Sequence, residues 1–145
     1  MAVVELSFPA RPAHVRTARL IAVALARRAD LAEDVHDEIR LAVAEACGVA
    51  LSVLGPTRPD RLVAVDFDDS DGLTVEVRAE VPLSAANGAD ALEVVAEAAR
   101  VGVGDGDGLP MGAALAVLAE LAPVLDAVTS ERGMRLTLGW PAEPV

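Results

Sequence analysis

Few residues in this chain of 145 have the type and spacing for chemistry, and they fall into three groups. The first is Ala44 to Ala50, A-E-A-C-G-V-A, which holds one acid, Glu45, and the only cysteine, Cys47. A lone helical acid is ordinarily a solvated surface group, and a lone cysteine amid small apolar residues is ordinarily a buried one. Cys47 cannot form an internal disulfide, and a single thiol excludes a cysteine-rich metal site. The second group is the run Val101 to Gly112, with Gly102, Gly104, Gly106 and Gly108 around Asp105 and Asp107. A glycine-rich loop ahead of a helix can cradle phosphate. This one carries acids and no lysine, so G-K-[ST] chemistry is absent and a flexible linker is the better reading. Its aspartates lack the spacing of a complete calcium loop. The third group is basic: Arg11, Arg16, Arg19, Arg27 and Arg28 cluster near the N-terminus of a chain whose net charge is −11. That balance excludes a nucleic-acid backbone as direct partner and leaves a local docking surface for an acidic protein. His14 and His36 are isolated and read as surface helix residues, with no metal set or triad around them.

These groups need elements to position them. Asp34 to Leu54 is the longest helical pattern, with Val35, Ile39, Val43, Ala46, Ala50 and Val53 on one apolar face and Gly55-Pro56 as its stop. It carries Glu45. Pro12 to Ala29 predicts an earlier helix with the arginines on or near its polar side. Val3 to Phe8 reads as a strand closed by Pro9. Arg61 to Asp68 and Leu73 to Glu80 alternate around the turn Asp69-Ser70-Asp71-Gly72, which predicts a hairpin. Pro56 to Pro59 and Ala79 to Asp90 read as loops, and Ala91 to Arg100 as a short helix. The last helix is expected over Ala113 to Leu125, ended near Pro123, then a strand over Ala127 to Ser130, a turn at Arg132-Gly133 and a strand over Met134 to Trp140. The order predicts one domain over 1–145: an α/β (α+β) two-layer sandwich, a mixed, mostly antiparallel sheet with helices on one face. Aromatic residues are 2% of the chain, so Ala, Val and Leu must build the core. No apolar run reaches the ~18 residues of a membrane span, and no basic residue precedes the first apolar run, so a cytoplasmic protein is expected.

With these residues in place, the chain resembles the anti-sigma-factor serine kinases of bacterial partner-switching systems, which have the histidine-kinase-like (GHKL) ATPase fold. The resemblance rests on the opening strand, on Ala18-Arg19-Leu20, on EIRLAVAEAC, on the hairpin ending VEVRAE, on the entry to the last helix and on the closing G-M-R-L-T-L. It implies an E-A-x-x-N motif on the long helix, with the acid as base and the asparagine on the magnesium of ATP. Glu45 stands at the first position and Val49 at the second. It implies D-x-G-x-G after the hairpin, for adenine, where Ala79, Glu80, Val81, Pro82 and Leu83 stand. It implies G-x-G ahead of the last helix, where Pro110-Met111-Gly112 keeps the second glycine. The lid of the ATP site would be the loop over about 80–112. Valine offers no oxygen to a hard cation, and Ala79 accepts no adenine hydrogen bond.

The resemblance therefore implies a regulator that binds rather than phosphorylates: an anti-sigma factor held by a sigma factor or by a STAS-type anti-anti-sigma protein, with no cofactor and no normal turnover of magnesium–ATP. Arg19, with Arg16 a turn away, matches the partner-contacting arginine of the first helix. Homodimers through the first strand and helix are common in the family. Apolar Val49, Val81 and Leu83 are expected to occupy part of the space a nucleotide would fill. Three alternatives stay open: an active serine kinase that uses Glu45 with Asp105 or Asp107, a nucleotide-free scaffold with an unrelated partner, and a small enzyme of another type.

Overall fold

A computed structural model describes residues 3–54, 61–80, 111–130 and 133–142. The chain opens with strand β1 (Val3–Pro9), a 3-10 turn over Pro12–His14, helix α1 (Val15–Arg28) and helix α2 (Glu33–Leu54). Strands β2 (Leu62–Asp68) and β3 (Leu73–Glu80) follow. Helix α3 (Met111–Leu121) and strands β4 (Val124–Ser130) and β5 (Gly133–Trp140) close it. The five strands form one sheet in the order β1-β2-β3-β5-β4. Each of the four pairings is antiparallel, so no parallel pair enters the sheet among the described residues.

Alternation decides which face is covered. Val63, Val65 and Phe67 of β2, Leu73, Val75, Val77 and Ala79 of β3, and Met134, Leu136, Leu138 and Trp140 of β5 are all buried. The register aligns them in rows, such as Phe67, Val75 and Leu138, on one side of the sheet. Helix α2 lies against this side, chiefly over β3, and packs along α1 and α3. Its buried stripe includes Ile39, Val43, Ala46, Val49, Ala50 and Val53. Fully burying a side chain of valine or leucine size contributes about 1.5–3 kcal/mol, so the many such residues here outweigh the scarcity of aromatics. The opposite sheet face carries exposed Val3, Leu62, Val124 and Val128 around a polar centre. There Arg78 Nη1 donates to Asp66 at 2.5 Å and to Glu76 at 3.0 Å, and the two carboxylates hold the guanidinium charge above its ordinary range.

The turn between α1 and α2 has a definite geometry. Asp30 sits at φ 56°, a left-handed conformation that aspartate tolerates better than most residues. The Asp30 amide donates to the Arg27 carbonyl, and the Leu31 amide donates to the Ala26 carbonyl, both at 3.1 Å. This is the Schellman pattern, which uses up carbonyls that a helix end leaves unpaired, and Leu31 is buried beside it. At the sheet's far end Gly72 (φ 73°) turns β2 into β3. A Cβ there would lie 2.0 Å from the Trp140 carbonyl oxygen, so the end of β5 crosses the turn at a distance only glycine permits.

Three expectations from the sequence need correction. The last helix does not run to Leu125: it ends at Leu121, and β4 begins at Val124 rather than Ala127. Pro123 lacks an amide hydrogen and turns Ala122 away from helical geometry, so the chain is extended as soon as it has passed. The first helix does not start as an α-helix at Pro12, because residues 12–14 form a 3-10 turn before α1. His36 is not a surface residue: it is 8% exposed, its Nε2 has no hydrogen-bond partner, and it precedes Ile39 and Val43 by three and seven residues on the buried stripe. His14 is half-buried, with its ring 5.9 Å from that of Phe8. The loop expected at 56–59, the short helix at 91–100 and the glycine-rich run at 101–110 lie outside the described residues.

Candidate functional site

The elements that would form a nucleotide site are α2, the end of β3 and the start of α3, and α2 packs against β3 and α3. Glu45 and Val49 stand one turn apart on α2. Glu45 is half-buried, at the margin of the helix's apolar stripe. Val49 is 1% exposed and belongs to the main core cluster, together with Ala46, Ala50 and Val53. Its periodicity accounts for this: 46, 49, 50 and 53 fall on one side of a helix with 3.6 residues per turn.

Ala79 is the next-to-last residue of β3 and is fully buried, paired with Val63 on one side and Met134 on the other. Its methyl group is part of the core. Gly112 lies in the first turn of α3. Val81 and Leu83 lie outside the described residues, as do Asp105 and Asp107. Arg16 and Arg19 are on α1, Arg16 exposed and Arg19 half-buried.

The family model for the histidine kinase-like ATPase domain matches residues 8–140. The chain belongs to this family. No curated protein matches it. The match runs from Phe8, near the end of β1, to the end of β5, so it takes in α1, α2, α3 and strands β2 to β5.

Of the described positions that match the family's motif, Glu45 carries a carboxylate, whereas 49 and 79 carry no oxygen donor. Magnesium takes oxygen ligands in near-octahedral geometry. At position 49 the structure has a buried isopropyl group, and at position 79 a buried methyl group. Among the described residues no three His, Cys, Asp or Glu side chains are grouped to hold a metal. Cys47, one turn before Leu51 on the same helix, is no substitute nucleophile: burial pushes its thiol up to about 12, so it is protonated at neutral pH. Glu45 is the one ionisable side chain of the motif at this place, and it stands without a second acid or a hydroxyl nearby in the motif. The acids and arginine that do converge, Asp66, Glu76 and Arg78, sit on the sheet face turned away from α2.

In the sequence Val49 stood out only as the residue at the motif's asparagine position; the apolar stripe read there did not include it, and the structure adds it to that stripe. His36 was missed although it obeys that pattern, because Asp34, Asp37 and Glu38 surround it in sequence. No described helix is long and apolar enough to cross a membrane.

Proposed function

We propose that this histidine kinase-like ATPase domain is a regulator that acts by binding, an anti-sigma factor of a partner-switching system, and that it does not turn over ATP in the ordinary way. The observation that carries the reading is Val49: the position where the family's motif puts a magnesium-holding asparagine is a valine, 1% exposed, inside the core. A ligand lost in this way removes charge stabilisation worth several kcal/mol at a transferring phosphate. What remains for function is surface. The arginines of α1 are the basic exception on an acidic chain, and a guanidinium suits the paired oxygens of a carboxylate. The partners in this reading are a sigma factor and a STAS-type anti-anti-sigma protein, competing for a surface that includes Arg16 and Arg19. A homodimer through the first strand and helix is part of the same family reading.

One reconstitution tests it. The purified protein is mixed with sigma factors and STAS proteins of the source genome, with labelled ATP and magnesium present. The expected result is a complex with a sigma factor that a STAS protein displaces, with no label transferred. Label on the STAS protein, lost in Glu45→Ala, would establish the kinase instead. The half-buried rather than core position of Glu45 is the observation that favours that second reading.

A further inference from the structure

We infer that the free edge of β4 is a docking site for an extended segment of another protein, one that carries an arginine or lysine between two apolar residues and adds itself to the sheet as a further strand. The inference does not depend on the sigma-factor reading, and it uses the sheet edge opposite to β1.

Strand β4 ends the sheet, with β5 on one side and no strand on the other among the described residues. It pairs with β5 from Val124 opposite Gly139 to Ser130 opposite Gly133 without a bulge. In an antiparallel ladder alternate residues aim their N–H and C=O groups away from the neighbour, so the outer side of β4 presents a row of backbone donors and acceptors. Edges are ordinarily guarded by proline, a basic residue, a bulge or a covering helix. The other edge, β1, ends in Pro9, whereas β4, VLDAVTS, has no proline and no base. Helical cover also thins towards it. Helix α2 packs on β3 and β5. On that side of β4, Leu125 is half-buried and Ala127 exposed, although their partners on β5, Leu138 and Leu136, are fully buried.

Register then states what the segment must carry. On the outer face Glu5, Asp66, Glu76, Thr137 and Asp126 stand in one row across β1, β2, β3, β5 and β4. Arg78 neutralises the middle of the row through Asp66 and Glu76. Asp126, at its end, is exposed and has no ion pair among the described residues, not even with Arg135 diagonally across on β5. Val124 and Val128 flank it on the same face, 48% and 37% exposed. A strand laid beside β4 puts one residue directly opposite Asp126 and one opposite each valine, with Cβ atoms about 4.5–5.5 Å apart. An arginine or lysine at the middle place answers the carboxylate, and apolar residues at the other two cover the valines. A second copy does not supply this from its own β4, which contains no base and brings a second Asp126. The net charge of −11 opposes that pairing further. In recognition of this kind main-chain bonds give affinity and alternate side chains give selectivity.

The probe is the peptide acetyl-T-V-T-K-T-V-T-amide, whose pattern reads the same in either direction, with a twin that has glutamate in place of lysine. Binding to the full chain is followed by amide NMR shifts at low salt, with circular dichroism as the control for folding. The lysine peptide is expected to shift the amides of β4 and β5 and to bind at least about fivefold more tightly than the glutamate peptide. Asp126→Lys, at an exposed position, is expected to reverse that order. The inference is overturned if the lysine peptide causes no shift up to its solubility limit, if the shifts centre on α1 or on the β1 edge, or if Asp126→Lys leaves the order of the two peptides as it was. A dimer in which β4 of one copy pairs with β4 of another, seen as protection of the β4 amides from exchange, overturns it as well.

Discussion

The indole nitrogen of Trp140, the last residue of β5, donates to the carbonyl oxygen of Leu121, the last residue of α3, at 3.0 Å. A helix leaves its final carbonyls without partners, and here a buried side chain from the sheet takes one of them. The contact fixes where α3 stops, just ahead of Pro123, and ties the helical layer to the centre of the sheet. Trp140→Phe removes the donor and part of the ring, with Leu121 left unpaired. A loss of about 1–3 kcal/mol is expected, measured by urea denaturation, because the part-buried Leu121 carbonyl loses its partner and the core loses part of the ring. An unchanged midpoint would show that the bond contributes nothing.

Gly72 is the position least able to accept a side chain. Its φ is 73°, and a Cβ would come within 2.0 Å of the Trp140 carbonyl oxygen and 2.5 Å of the Ala142 nitrogen, both backbone atoms. Gly72→Ala should lower the melting temperature sharply, by an amount matching about 2 kcal/mol or more, as backbone must shift in addition to the left-handed strain. A melting temperature within error of the wild type would mean that the β5 end is free to move aside.

Val49→Asn restores the residue type that the family's motif uses for magnesium. In this core the amide would be placed among Ala46, Ala50 and Val53, so the substitution should destabilise by about 1–3 kcal/mol. Calorimetric titration with ATP and magnesium should show no gain in binding. Tight nucleotide binding by the variant would mean that the rest of the site is intact and would count against a regulator that has lost it.

Cys47 offers an unusually clean titration. The chain has no tyrosine and no lysine, so between about pH 9 and pH 11 no other side chain changes charge. Burial raises the thiol to about 12 in the folded protein, above its value in the unfolded chain. The neutral thiol's contribution is thus fully present below the unfolded pKa and is lost as pH rises through the window up to about 12. Stability by denaturant midpoint should fall above about pH 9, and Cys47→Ala should remove most of that slope. A wild-type slope equal to that of the variant would show that the thiol is not desolvated. At neutral pH a thiol reagent should modify Cys47 only after unfolding.

Much of the fold could be read in the sequence where a single period dominates. The alternation of Val63, Val65 and Phe67 and of Val75, Val77 and Ala79, with Gly72 between, specified the hairpin, but not its register: a turn over Asp69 to Gly72 would pair Asp68 with Leu73, whereas Asp68 faces Thr74. The spacing of Ile39, Val43, Ala46, Ala50 and Val53 specified α2 and placed Glu45 beside its apolar stripe. The boundary between α3 and β4 was not legible, because Leu121 to Leu125 is apolar under either period apart from Pro123. The partner of Trp140 was not legible either. An indole N–H needs an acceptor, but sequence does not say that a helix end nineteen residues earlier will supply it. At the candidate site the substitution at position 49 was visible as a residue type, whereas its burial depends on how α2 leans on β3 and α3.

The sheet's central seam joins β3 to β5, Leu73 with Trp140 at one end and Glu80 with Gly133 at the other. On the ribosome this sets an order of events. Strands β1, β2 and β3 and helices α1 and α2 emerge early, yet β3 has no second neighbour until residues 133–140 are made. Until then a nascent chain presents an open strand flanked by an apolar surface, the kind of intermediate that chaperones capture and that aggregates when they do not. Translation slowed within the last stretch would lengthen that exposure, and a chain stopped before Trp140 would never close the seam.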